Sequence, residues 1–234
     1  MFVVLAATTP ASATADGVAI VPPGRTLFGK SYNQLGDEWT NWVLREPLAT
    51  NPATDNDGAD CARNQSGKVW FLAGTFGGLF SEDVIANRTC TIPAGKAIFT
   101  AITTFVSFGP EFLNAPPCDA VKTPLGQIRC DINDDVPLQP NLGLKVVIDG
   151  KAVRDLFAYR IQSPPGGYAL EITPGSPFNA GYSISPGVRT PAVSDGFYIL
   201  LKPLPPGVHT ISTSADFNAD GIPDQGANYT LTVQ

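Results

Sequence analysis

The segment Asp216-Phe-Asn218-Ala-Asp220-Gly221-Ile222-Pro-Asp224 places oxygen-bearing side chains at positions 1, 3, 5 and 9, with glycine at 6. Ile222, at position 7, can offer its main-chain carbonyl, and the set reproduces most of a calcium-binding loop. A hard cation needs several oxygens in one shell, and the glycine lets the loop turn tightly enough to converge them. Position 12 is Ala227, so the bidentate glutamate of an EF-hand is missing. Residues 209–214 and 229–233 alternate like strands, so no helices are expected to flank the loop. Three carboxylates within nine residues repel one another without a cation, which makes Ca2+ the expected cofactor. The alternative is a solvated hairpin connection in which Asp and Asn favour turn conformations.

Other acidic side chains carry weaker signals. Asp55, Asn56, Asp57 and Asp60 have fewer ligands at the required spacing, and Asp131, Asn133, Asp134 and Asp135 read as a solvated cluster. A hydrolase built on two carboxylates needs them only roughly 5–10 Å apart in the fold. Asp37, Glu38, Glu111, Asp155 and Asp195 are its candidates, and no spacing ranks them. His209 is the only histidine, and it lies in LPPGVHTI, a turn leading into a strand. It reads as a surface or packed residue before a general base. No G-x-S-x-G nucleophile elbow is present.

The four cysteines Cys61, Cys90, Cys118 and Cys130 show no C-x-x-C spacing and have one histidine to draw on, which disfavours zinc. Disulfides are the default in an exported chain. Three pairings exist; Cys61 with Cys90 and Cys118 with Cys130 is favoured, because each pair brackets a loop that a hairpin could close.

Export is read from residues 1–15, MFVVLAATTPASATA, an apolar run followed by small residues ending in an A-x-A pattern. No basic residue precedes Phe2, so this reads as a truncated signal peptide, with the mature chain from Asp16. The run is too short to span a bilayer, and Gly, Pro or polar residues interrupt every later apolar segment. A secreted location, extracellular or periplasmic, without membrane insertion follows. Residues 1–15 carry no charge, so the mature chain keeps the net charge of -6, which argues against a nucleic-acid partner.

The elements that must position these residues are mostly strands. Twenty-three Gly and 22 Pro supply recurrent turn signals such as VPPG, IPAG, SPPGG and LPPG. Between them lie β-branched and aromatic runs at Val69–Leu72, Ala97–Phe108, 144–148, 197–201 and 208–212. Asp149-Gly150 in LKVVIDGKAV suits a type I′ hairpin turn. Residues 31–46 differ: Leu35, Trp39, Trp42 and Val43 make one helical stripe, which Pro47 stops. Trp39 and Trp42, with Trp70 from VWFL, are the rings available to stack on a sugar; burial in a core is the commoner fate of such a stripe. The expected fold is all-β, an antiparallel β-sandwich or jelly roll with one N-terminal amphipathic helix. Residues 16–234 read as a single domain, with 114–141 as a candidate excursion.

The stretches DGADCARNQSGKVWFLAGTFGG, RTCTIPAGKAIF, VIDGKAVRDLFAYRIQSP and AVSDGFYILLKPLPPGVHTI resemble a group of uncharacterised exported bacterial proteins, across most of residues 32–210. The resemblance supports pairing Cys61 with Cys90 and carries over no catalytic residue. The Asp216 segment resembles the DFNGDGxPD calcium loops of integrin-type repeats, which join strands without a position-12 carboxylate; nine residues are covered, which implies a loop type and not a propeller. The expected function is that of a disulfide-bonded, calcium-stabilised binding or surface module for glycan or another extracellular component. The alternative is a secreted polysaccharide hydrolase using paired carboxylates.

Overall fold

Two runs that the sequence leaves apolar on both faces, β3 (Val69–Leu72) and β5 (Ala97–Phe108), lie side by side in the first of two sheets. The computed structural model describes residues 14–15, 18–80, 84–111, 113, 118–135 and 142–234. Most of the proposed signal peptide, residues 1–13, lies outside them, as do 114–117 and 136–141 of the proposed excursion. Thr14–Ala15 (β1) and Val18–Ala19 (β2) form a small hairpin.

The first sheet runs β3, β5, β10 (Gly187–Leu201) and β8 (Arg160–Gln162), with β9 (Tyr168–Ile172) also paired to β10. Helix α1 (Tyr32–Arg45) packs against β5, β8, β9 and β10, and side chains of the second sheet join the same core, so β5 and the end of β10 are buried without alternation. The second sheet runs β4 (Ile85–Ile92), β12 (Gln225–Val233), β11 (Gly207–Asp216), β6 (Gly143–Ile148) and β7 (Lys151–Ala152). Its strands alternate buried and exposed, the mark of one face in the core and one in solvent. Phe99 and Ile102 of the first sheet share one cluster with Val146, Ile211 and Leu231 of the second.

Local sequence explains the short-range features. Ser31 caps α1 in a reciprocal capping box with Gln34, and the helix ends at Arg45, ahead of Glu46 and Pro47. Asp149 and Gly150 both take positive φ, 47° and 76°, and close the two-residue β6–β7 hairpin. Among the described residues no helix is long and apolar enough to cross a membrane.

Two expectations need correction. Pairing is mixed: β3 runs parallel to β5, and β12 parallel to β4. The chain places β3 in one sheet, β4 in the other and β5 back beside β3, so the returning strand keeps its direction; turn residues encode a local reversal and say nothing about such crossovers. Helix is also more extensive, with α2 (Pro124–Asp135) and α3 (Pro177–Tyr182). The α2 signal lay inside the proposed excursion: Pro124 opens the helix, Thr123 Oγ1 accepts from Gly126 N at 3.2 Å, and Ile128 and Ile132 bury one face. Both disulfides are present, Cys61–Cys90 with Cα atoms 6.2 Å apart and Cys118–Cys130 at 5.7 Å.

Candidate functional site

A cavity of about 390 Å³ opens along residues 101–106 of β5, among α1, the loop after β3, α3 and the β11–β12 connection. Three features of the chain create it. Between the pairs Phe197–Thr103 and Tyr198–Ala101, strand β5 carries one extra residue, Ile102, a bulge that changes the phase of inward-facing side chains. The loop after β3 brings Phe76 and Phe80, which meet edge to face at 5.3 Å. Short helix α3 adds Phe178 and Tyr182, with Phe80 and Tyr182 6.2 Å apart. Substituting Gly181 would press a Cβ to 2.3 Å from the Phe80 ring, so this wall depends on a glycine. None of the described lining residues is charged at neutral pH.

The Asp216–Asp224 loop, which joins β11 to β12, forms another part of the wall. Phe217 packs on Phe105 with ring centroids 6.0 Å apart, and Gln225 Nε2 donates to the carbonyl of the bulge residue Ile102 at 3.3 Å. Within the loop, Asp216 accepts from Asn218 N and Gly221 N at 3.2 and 2.8 Å, Asn218 from Asp220 N at 3.0 Å and Asp220 from Ile222 N at 2.8 Å. Asp224 accepts from Phe217 N at 2.6 Å, and Ala219 and Gly221 take the positive φ that so tight a turn needs. Each oxygen keeps a second lone pair, so the donor set fits a hard cation while satisfying its own backbone. Among the described residues no three His, Cys, Asp or Glu side chains converge as a metal cluster.

The second acidic loop has a structural assignment. Asp55 accepts from Asp57 N, Gly58 N and Asp60 N; burial alone would raise its pKa, but these bonds hold it below the usual carboxylate range. The loop's own carbonyls then cover the β4 edge: Thr89 N donates to Asp57 O at 2.8 Å, and Arg88 Nε to Asp55 O at 2.5 Å. In the third cluster, Asp131 accepts from Ser107 Oγ at 2.6 Å and Asn133 from Gln162 Nε2 at 2.9 Å, tying α2 to the first sheet.

The hydrolase candidates scatter over different partners. Asp195 is fully buried in a bidentate pair with Arg160, at 2.9 and 2.6 Å, and also accepts from Gln162. Glu38 pairs with Lys30 and Glu111 with Arg189. Asp155 sits in left-handed conformation before a short 3-10 turn. His209 has both ring nitrogens engaged, Nδ1 with Asp149 at 2.8 Å and Nε2 with Pro205 O at 2.9 Å. Burial lowers its pKa, the two acceptors raise it by more, and the net direction is up.

Asp37, on the sheet-facing side of α1, accepts from Ser163 Oγ at 2.6 Å and from Ser194 Oγ at 3.3 Å. Burial pushes its carboxyl up to about 6, against the two hydroxyl bonds and the pull of Arg129, while Glu38 adds to the rise. A carboxyl whose folded pKa exceeds its unfolded value contributes stability at low pH that is lost as pH rises through the folded pKa. The melting-temperature difference between wild type and Asp37→Asn is therefore expected to move against wild type from pH 4 to pH 6.5. On the order of 1–2 kcal/mol is expected after allowance for solvent screening; parallel melting curves across that range would remove Asp37 as the titrating group.

Trp39, Trp42 and Trp70 are all buried, which for Trp39 and Trp42 is the commoner fate expected of the α1 stripe. Trp39 Nε1 donates to Leu72 O at 2.8 Å and Trp42 Nε1 to Arg63 O at 2.9 Å, so their polar edges clamp α1 to neighbouring chain. Trp39 alone of the three lines the cavity. The residues that sequence reasoning passed over are Thr103, Phe105, Phe80, Tyr182 and Phe217: the first two lie in an expected strand, the others in loops or a short helix, and only the bulge and chain crossings bring them together. No known protein-family model matches the chain, and no curated protein matches it.

Proposed function

We propose that the chain is an exported, disulfide-braced β-sandwich that acts as a binding module, with the β5 cavity as its ligand site. The observation that carries this reading is an aromatic-walled hollow of about 390 Å³, within the range of ligand pockets, lined without charge and flanked by exposed Leu79 and Tyr182. The Asp216, Asn218, Asp220, Ile222 and Asp224 loop holds Ca2+ in this reading and steadies the wall that Phe217 and Gln225 contribute. The signal-like residues 1–15 and the resemblance to exported bacterial proteins support secretion. Binding is preferred to polysaccharide hydrolysis because Asp37 and Asp195 are occupied by hydroxyl and guanidinium partners, in a region the cavity does not reach.

The test is a titration of the oxidised protein with N-phenyl-1-naphthylamine, an uncharged probe that fluoresces in apolar surroundings. Saturable enhancement is expected, and Tyr182→Asp, which puts a charge at the mouth, should weaken it at least ~10-fold while leaving the melt unchanged. In the same sample, EDTA should lower the melting temperature and calcium restore it, by about 2.7 kcal/mol at a hundredfold excess over Kd. Absence of saturable binding would count against the cavity, and a melt indifferent to calcium would reduce the loop to a polar turn.

A glycan partner is supported by a different surface. On the solvent face of the second sheet, Asn87 and Thr89 of β4 lie in register with Asn228 and Thr230 of β12, and these four line a hollow of about 310 Å³. Glycan-array binding that survives Tyr182→Asp but is lost in Thr230→Lys would assign recognition to this face.

A further inference from the structure

We infer that the β5 cavity takes a neutral, largely apolar ligand carrying one hydrogen-bonding group, and that Thr103 receives that group. The inference rests on the cavity being the ligand site. Thr103 is 2% exposed, and its hydroxyl is buried without a hydrogen-bond partner among the described residues. A buried hydroxyl left unpaired costs free energy, and a ligand that supplies the partner recovers it.

The other threonine hydroxyls in the lining are already engaged. Thr104 Oγ1 shares a hydrogen with Tyr198 Oη at 2.5 Å, Thr75 Oγ1 donates to Val84 O at 2.6 Å and Thr40 Oγ1 to Gly36 O at 2.8 Å. Among the lining threonines Thr103 therefore has the hydroxyl left for a ligand, and the Ile102 bulge beside it changes the phase in which β5 presents it.

Charge and size define the rest. With no cation or anion in the lining, a carboxylate, phosphate or ammonium group would enter with its desolvation uncompensated. The volume of about 390 Å³ is more than twice that of an engineered cavity of roughly 150 Å³ that holds benzene, which suits a medium-length alkyl chain or fused rings. The Phe105–Phe217 pair and the Phe80–Tyr182–Phe178 run supply the apolar contacts for such a body. Leu79 and Tyr182, 66% and 54% exposed, extend that surface to the mouth.

Displacement of bound N-phenyl-1-naphthylamine by 1-decanol, decanoate and decyltrimethylammonium tests the assignment. Decanol is expected to displace the probe at concentrations at least ~10-fold below either charged compound. Thr103→Val, which keeps the shape and removes the hydroxyl, should weaken decanol roughly 3- to 10-fold, with the affinity of the probe, which carries its own N–H, titrated separately for each variant, and Thr103→Ser should retain decanol binding. Charged and neutral compounds displacing equally, or Thr103→Val without effect on decanol, would overturn the ligand class with the cavity still standing as a site. Failure of the wild type to bind the probe at all strikes the cavity reading itself.

Discussion

Replacing Arg88 by methionine should destabilise the protein by roughly 3 kcal/mol or more, among the largest effects of any single substitution. Arg88 occupies an inward position of β4, where strand alternation calls for an apolar side chain, and it is 2% exposed. Its guanidinium donates to Asp55 O and Ala73 O at 2.5 Å, to Gly74 O at 3.1 Å and to Tyr229 Oη at 2.9 Å, and stacks over the Tyr229 ring at 5.6 Å. One side chain thus joins the loop before Cys61, the end of β3 and the last strand β12. Methionine fills the volume but takes the donor from the Asp55 and Gly74 carbonyls and leaves Ala73 O with Tyr229 Oη alone, at 2.7 Å, and lysine cannot reproduce the planar fork. Urea unfolding reads the result: the midpoint should fall with little change in slope, and a loss below about 1 kcal/mol would show that water readily replaces the guanidinium. Gly74 lines the cavity, so probe binding should weaken in the same variant.

The second large effect is expected from Cys61→Ser with Cys90→Ser. The bond spans 29 residues and anchors the acidic loop to β4, with both cysteines buried. In the chain-entropy model a loop of this length contributes about 3.5 kcal/mol by restricting the unfolded chain. The loss should exceed that from opening Cys118–Cys130, whose separation is 12 residues, because the shorter loop restrains fewer unfolded conformations. Equal midpoints for the oxidised wild type and the double serine variant would mean that the loop is held chiefly by its Asp55 and Arg88 hydrogen bonds. Arg88 and Cys61–Cys90 secure the same loop, so combining the two changes should cost less than the sum of their separate losses.

Several elements were legible because their determinants are local. The runs at Val69–Leu72 and Ala97–Phe108 coincide with β3 and β5, and the Leu35, Trp39, Trp42 and Val43 stripe falls within Tyr32–Arg45. Strand β10 begins ten residues before its most apolar part, since Gly187, Pro191 and Gly196 read as breakers. Tertiary context reverses that reading: β9 pairs with the early half across an irregularity between Arg189 and Ala192, and Gly196 is required where a Cβ would meet Thr103 O at 2.5 Å. Arg88 was equally hidden, since its burial depends on carbonyls from two distant segments.

What the sequence by itself determined is the strand-rich composition, the Ser31 cap, the Asp149-Gly150 turn and the spacing of the Asp216 loop, each set by contacts within a few residues. Tertiary structure alone decided the parallel neighbours, the burial of Arg88, and the cavity, which is lined from β5, α1, α3, the loop after β3 and the β11–β12 connection. Strand partners across a crossover and the phase after a bulge depend on packing free energy summed over the whole core, which no short window of residues contains.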